Sequence, residues 1–175
     1  YECKRQHEIH VDITKSARDE ITRIIAALRS GDSKPNWEKE IKRVCALEKG
    51  DRITERVISD LWMKDKKEET CISIKTVKPN IDQTEKAKID MLLLKAHDSK
   101  IQTFFGLYYN PGGPKREDYN WGVPSKLFDM LKDPCVIIGE EYWEKIGGKG
   151  TYSSLLKIFE KVGNLTRKQL KEIAN

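Results

Sequence analysis

A lysine stands in the middle of a run that otherwise has the pattern of a buried strand. The run is Cys71-Ile72-Ser73-Ile74-Lys75-Thr76-Val77-Lys78-Pro79-Asn80. Its alternation puts Ile72, Ile74 and Thr76 on one face of an extended segment and Cys71, Ser73 and Lys75 on the other, with Pro79 as the stop. An ammonium flanked by isoleucines inside a sheet is costly unless an anion meets it, and a phosphate is one such anion. The preceding run, Arg56-Val57-Ile58-Ser59-Asp60-Leu61-Trp62-Met63, reads as a second strand with an acid in its apolar half. Lys64 to Glu69 is short and polar enough to be the hairpin between them. The pair sets Asp60 and Lys75 on adjacent strands.

The elements around this hairpin follow from their own patterns. Residues 1–14 are polar with a short alternating run from Ile9 to Ile13, a strand or an arm. Ser16 opens a helix with Asp19 in its first turn and a stripe of Ile21, Ile24, Ile25 and Leu28, closed by Gly31. Asn36 caps a second helix, in which Trp37, Ile41, Val44 and Cys45 share a face and Gly50 is the terminator. After the hairpin comes a helix from about Asp82 to His97, with an apolar side of Ile89, Leu92, Leu93 and Ala96. Ile101 to Asn110 is dense in β-formers and is predicted as a central strand.

The segment Pro111 to Pro124 is too long for a plain connector. Its Lys115, Arg116 and Asn120 have side chains suited to base edges, and Tyr119 and Trp121 are suited to stacking or wedging. A self-packed surface loop is the competing reading. The rest alternates: a short helix Ser125 to Leu131, a strand Cys135 to Ile138, a helix Glu140 to Ile146, a glycine-rich turn at 147–150, a helix from Thr151 to about Val162, and a last helix capped by Thr166. The turn lacks the spacing of a phosphate loop, but Lys149 beside a helix start is placed for a phosphate contact.

Size and composition bound the answer. A chain of 175 residues holds one core, so a single domain over 1–175 is expected. Its parts are a helical N-terminal portion at about 15–50, a catalytic core at about 51–140 and a helical C-terminal portion at about 140–175. With 38% hydrophobic and 35% charged residues it has no apolar run near the roughly 20 residues of a membrane span. The net charge of +5 suits nucleic acid without establishing it. Four cysteines, at 3, 45, 71 and 135, form no Cys-x-x-Cys pair, which is simplest in a reducing compartment. Cys3, His7 and His10 lack an evident fourth ligand for zinc. No targeting motif is present, and a start at Tyr1 rather than methionine marks a trimmed chain or a piece of a longer one.

Strand, acid, hairpin and x-x-Lys resembles the metal-dependent site of the PD-(D/E)xK nuclease superfamily. Ile74-Lys-Thr-Val-Lys-Pro-Asn-Ile-Asp-Gln83, together with Gly139-Glu-Glu-Tyr-Trp-Glu-Lys-Ile-Gly-Gly-Lys-Gly-Thr-Tyr152 and the following Leu155, Leu156, Ile158 and Phe159, is similar to type II restriction endonucleases of the TdeIII and MjaII kind. The resemblance implies an α/β fold with a restriction-endonuclease-like core, a central mixed sheet flanked by helices. It also implies Mg²⁺-dependent hydrolysis of double-stranded DNA leaving 5′-phosphates, GGNCC-type sites, a homodimer, and a prokaryotic cytoplasm.

The chain departs from that pattern at Ser73, where the superfamily carries a carboxylate; a hydroxyl does not hold a divalent ion as a carboxylate does. The resemblance then implies Asp60, the Ile74 carbonyl and a helix acid as metal ligands. Glu85 comes ahead of Asp90, because Glu85 is in line with Ile89, Leu92 and Ala96 on the stripe taken to face the sheet. Lys75 would orient the attacking water, Ser73 would bond a metal-bound water, and Lys78, Asn80, Lys115, Arg116, Tyr119, Asn120, Trp121 and Lys149 would face DNA. Two other readings stay open: a repair or junction-resolving nuclease of the same fold, and a non-catalytic DNA-binding module whose metal site has decayed at Ser73.

Overall fold

The computed structural model describes residues 2–173. Five strands form one sheet in the order β1-β2-β3-β4-β5: β1 (Glu2–Thr14), β2 (Arg52–Lys64), β3 (Glu69–Lys75), β4 (Gln102–Leu107) and β5 (Val136–Ile138). The first three pair antiparallel and the last three parallel, so the sheet is mixed. Five helices accompany it: α1 (Lys15–Ser30), α2 (Trp37–Cys45), α3 (Ile81–His97), α4 (Glu140–Gly147) and α5 (Thr151–Ile173). This is the α/β architecture that the resemblance implies.

The predicted hairpin is present, with the Asp65 carboxylate accepting the amides of Lys67 at 2.7 Å and Glu68 at 2.8 Å to tighten its turn. The parallel pair β3 and β4 needs a crossover, and α3 supplies it. α3 begins where Asn80 accepts the Gln83 amide at 2.8 Å while the Gln83 side chain accepts the Asn80 amide at 3.2 Å, a reciprocal cap.

Local patterns and structure differ in several places: β3 ends at Lys75, ahead of the stop expected at Pro79, and α2 ends at Cys45 with Ala46 as its cap, rather than at Gly50. The whole of 2–14 is strand, not just Ile9 to Ile13, because pairing with β2 satisfies the backbone of a stretch that is polar on both faces. The cap of α1 is Thr14, whose hydroxyl accepts the Ala17 amide at 3.1 Å, rather than Ser16. The expected helix at Ser125 to Leu131 is a single 3₁₀ turn over Pro124–Lys126. α5 runs on through Gly163 and Thr166 as one helix, and the expected extension to the C-terminus ends outside the described residues.

α3 is covered on more than one side, by the sheet and by α1 and α2. Met91, Leu92, Leu93, Leu94 and Lys95 are all buried, so the helix has no single apolar stripe. Lys88, fully buried, forms an ion pair with Glu40 of α2, and its ammonium sits 4.9 Å from the Trp37 ring and 4.4 Å from that of Phe128. A charge removed from water persists only with such company. On the other face of the sheet, Met63, Ile72, Ile137 and Tyr142 form a smaller cluster under α4. A side chain at Gly106 of β4 would meet Ile72 Cγ2 and Tyr142 Cδ2, each 2.9 Å from its Cβ, so only glycine lets the ring lie this close.

Candidate active site

β2 and β3 hold their ladder as far as Leu61 opposite Ile72. Beyond that step the Asp60 carboxylate takes up the next backbone donor: its Oδ2 accepts the Ile74 amide at 2.8 Å. The same oxygen accepts the Lys75 ammonium at 3.1 Å, and that ammonium also donates to the Ile74 carbonyl at 3.2 Å. The other oxygen, Oδ1, accepts the Gln6 side-chain amide of β1 at 2.8 Å. Three adjacent strands thus converge on one carboxylate.

Gln6, Asp60 and Lys75 line an open cleft of about 330 Å³ whose walls also include Ser73, Lys86 and Asp90. Arg56 and Ile58 of β2 complete its rim. Asp90 is 8% exposed and accepts the Lys86 ammonium, one turn back on α3, at 2.5 Å. Burial pushes its carboxyl above the ordinary carboxylate range, with the Asp60 charge adding to the effect and the Lys86 and Lys75 ammonium groups opposing it. A half-desolvated carboxylate of this kind gains from any further cation.

Glu85 is not on this wall. It is bound by Arg29 of α1 at 3.1 Å, on the side of α3 turned to that helix. The stripe that aligned Glu85 with Ile89 and Ala96 could not identify the sheet-facing side, because α3 is buried on several sides and its buried positions include Thr84, Lys88, Asp90 and Lys95.

Among the described residues no group of three or more His, Cys, Asp or Glu side chains is gathered to hold a metal ion. The cleft does bring together two carboxylates, Asp60 and Asp90, with the Ser73 side chain and, at the Lys75 ammonium, the Ile74 carbonyl. All four are oxygen donors, and two carboxylates with water in the remaining positions are the usual share a protein gives to Mg²⁺. The donor set fits that ion. Cys3, His7 and His10 make no such set; the His7 ring instead lies 4.5 Å from that of Trp62. His97, at the end of α3, bonds the backbone of Asp12 through Nδ1.

The residues expected at DNA separate into two groups. Lys78, Lys115, Asn120 and Lys149 are exposed. The others are engaged within the chain. Asn80 is the α3 cap. Arg116 is turned inward, with Nη2 donating to the Val136 carbonyl at 2.5 Å and to Glu141 at 2.7 Å, and Nη1 to the carbonyls of Asp133 at 3.3 Å and Leu131 at 3.4 Å. The Tyr119 hydroxyl donates to the Val77 carbonyl at 2.9 Å, and burial raises it to about 12. The Trp121 indole donates to the Pro79 carbonyl at 2.9 Å, with the Lys78 ammonium 5.6 Å from its ring. The long loop is therefore pinned to the turn between β3 and α3. Gln6 carried no sequence signal, since its place beside Asp60 depends on the register of β1 against β2.

The family described as type II restriction endonuclease, HinfI, matches residues 1–163. The type II restriction enzyme MjaII of Methanocaldococcus jannaschii is 30% identical over 91% of the chain and 47% of its own length. HgiCII of Herpetosiphon aurantiacus, another type II restriction enzyme, is 34% identical over 54% of the chain and 36% of its own length. The chain thus spans about half or less of the curated relatives it matches. No solved structure matches it.

Proposed function

Because the chain belongs to the HinfI family of type II restriction endonucleases, we propose that it carries the catalytic domain of a site-specific endonuclease cutting double-stranded DNA. The observation that supports this most directly is the convergence of Asp60, Lys75 and Asp90 from β2, β3 and α3 on one cleft. Asp60, Asp90 and the Ile74 carbonyl would hold Mg²⁺, with Asp90 in the place first assigned to Glu85. The ion, when bound, supplies a water of lowered pKa and charge neutralisation at the phosphate.

The side chains do the rest. Lys75, held between Asp60 and the Ile74 carbonyl, orients the attacking water and then offsets charge on the pentacoordinate phosphorane. Ser73, on the same cleft, would bond a water bound there. The water oxygen joins phosphorus in line and gives up a proton to solvent, the bond from phosphorus to the 3′-oxygen breaks, that oxygen takes up a proton from solvent, and a 5′-phosphate and a 3′-hydroxyl remain. Lys86, paired with Asp90, and Arg56, paired with Glu8, stand at the cleft, and with the exposed Lys78, Lys115 and Lys149 they would supply salt-sensitive phosphate contacts.

The duplex presents two equivalent scissile bonds at a palindromic site, which a homodimer matches by symmetry. A GGNCC-type site and a prokaryotic cytoplasmic setting complete the reading. Among the described residues no helix is long and apolar enough to cross a membrane. The test is incubation of plasmid DNA with the protein in Mg²⁺ or in EDTA. A discrete, Mg²⁺-dependent band pattern is expected. Cutting confined to branched DNA would point to a junction-resolving nuclease, and binding without cutting to a non-catalytic module.

A further inference from the structure

Gln6 combines two features found together nowhere else among the described residues. It is the one non-glycine residue with a positive φ, +49°, a left-handed backbone that L side chains other than asparagine and aspartate seldom adopt. It also donates to the Asp60 carboxylate. The ladder of β1 on β2 places it directly opposite that acid: Arg5 pairs with Leu61 and His7 with Ser59, and the step between, Gln6 with Asp60, is absent from the pairing. The pairing is interrupted where the two residues meet, and the unusual backbone is on the Gln6 side. Backbone held in a sparse region persists when its surroundings over-determine it, and such positions cluster at functional sites.

The bonding around Asp60 shows what the side chain contributes. Oδ2 has two donors, the Ile74 amide and the Lys75 ammonium, both from β3. Oδ1 has the Gln6 amide, from the opposite neighbour β1. Bonds from both sides fix the rotation of the carboxylate, which bonds from β3 alone would leave free about the axis through Oδ2. A neutral amide does this without adding a positive charge to compete with a cation.

We propose that Gln6 is a positioning residue of the nuclease site, locking the Asp60 carboxylate across the cleft from Asp90 so that the two acids receive a divalent ion already oriented. This rests on the endonuclease reading above. Groups that orient a ligand in this way typically govern metal affinity by about 10- to 100-fold.

The experiment uses Mn²⁺ as the probe, with its binding to DNA-free protein read by electron paramagnetic resonance. Alongside it are measured the Mg²⁺ dependence of plasmid cutting and DNA affinity in EDTA. Gln6→Ala and Gln6→Gly are compared with Asp60→Asn; the glycine variant accepts the left-handed backbone freely and so separates the amide from the strand conformation. The expected result is that both Gln6 variants weaken Mn²⁺ binding by about tenfold or more. They should raise the Mg²⁺ needed for half-maximal cutting to match, and leave DNA affinity in EDTA unchanged. Native Mn²⁺ affinity in Gln6→Gly, with affinity lost in Asp60→Asn, overturns the proposal and leaves the endonuclease reading standing. Native affinity in Asp60→Asn itself overturns both.

Discussion

The Lys75 ammonium stands 3.1 Å from Asp60 Oδ2, an ion pair just beyond the last paired step of β2 and β3, with the two side chains 18% and 27% exposed. The ammonium is therefore placed by the acid but remains accessible from the cleft. Replacing Lys75 by alanine should lower the rate of DNA cutting by about 10²- to 10³-fold, the usual loss for one group aimed at developing charge. DNA binding, measured by gel shift in EDTA, should stay close to native, because in the proposed function the exposed lysines would carry most of the phosphate contact. A variant that cuts at the native rate would move the active site elsewhere.

Asp90 and Glu85 lie on different sides of the same helix, one on the cleft and one on Arg29. Asp90→Asn should reduce Mg²⁺-dependent cutting by about tenfold or more, since a carboxamide is a poor ligand for a hard cation. Glu85→Gln should cut at the native rate and cost at most about 1 kcal/mol, the value of a solvent-exposed pair. Rates on plasmid DNA across a Mg²⁺ titration decide between them; the reverse order would restore Glu85 as the ligand.

Acid should loosen the joint between α1 and α2. Arg23 beside Glu20 holds its carboxyl below the usual range, with Arg43 of α2 adding to the effect and burial opposing both. A depressed folded value means that the unfolded chain binds the extra proton, so stability rises with pH across this window. The contribution is complete above the ordinary carboxylate range and is lost as pH falls through the depressed value. Thermal melts between neutral pH and pH 3 should show a shallower decline for Glu20→Gln than for the native chain.

Arg116 and Lys115 are neighbours with opposite duties. Arg116→Ala removes the donor to three backbone carbonyls and to Glu141. It should cost about 2–4 kcal/mol in urea unfolding, as expected when acceptors lose a charged partner. Lys115→Ala should leave stability within about 0.5 kcal/mol. It should weaken DNA binding evenly across sequences and reduce the slope of log affinity against log salt by about 1. A stable Arg116→Ala protein would mean that the loop is not held by this guanidinium.

The sequence by itself determined the local chemistry of the site. Alternation around Ile72 and Ile74, the polar hairpin after Met63 and the helical pattern from Asp82 to His97 are short-range instructions. They suffice to make a hairpin followed by a helix, with an aspartate and a lysine on neighbouring strands. The mixed α/β fold was legible through the same hairpin, through the β-formers of β4, and through the resemblance carried by the run from Ile74 to Gln83 and the segment from Gly139.

Tertiary structure decided everything that depends on distant partners. Residues 2–8 are polar on both faces, and only pairing with β2 makes them strand and carries Gln6 to Asp60. α3 is wrapped by the sheet and by α1 and α2, so its periodicity could not say that Asp90, rather than Glu85, faces the cleft. Arg116 has the chemistry of a base reader and the position of a clamp on β5 and α4. The physical reason is common to all three: periodicity reports which side of an element avoids water, whereas a side chain's task depends on which long-range group meets it there.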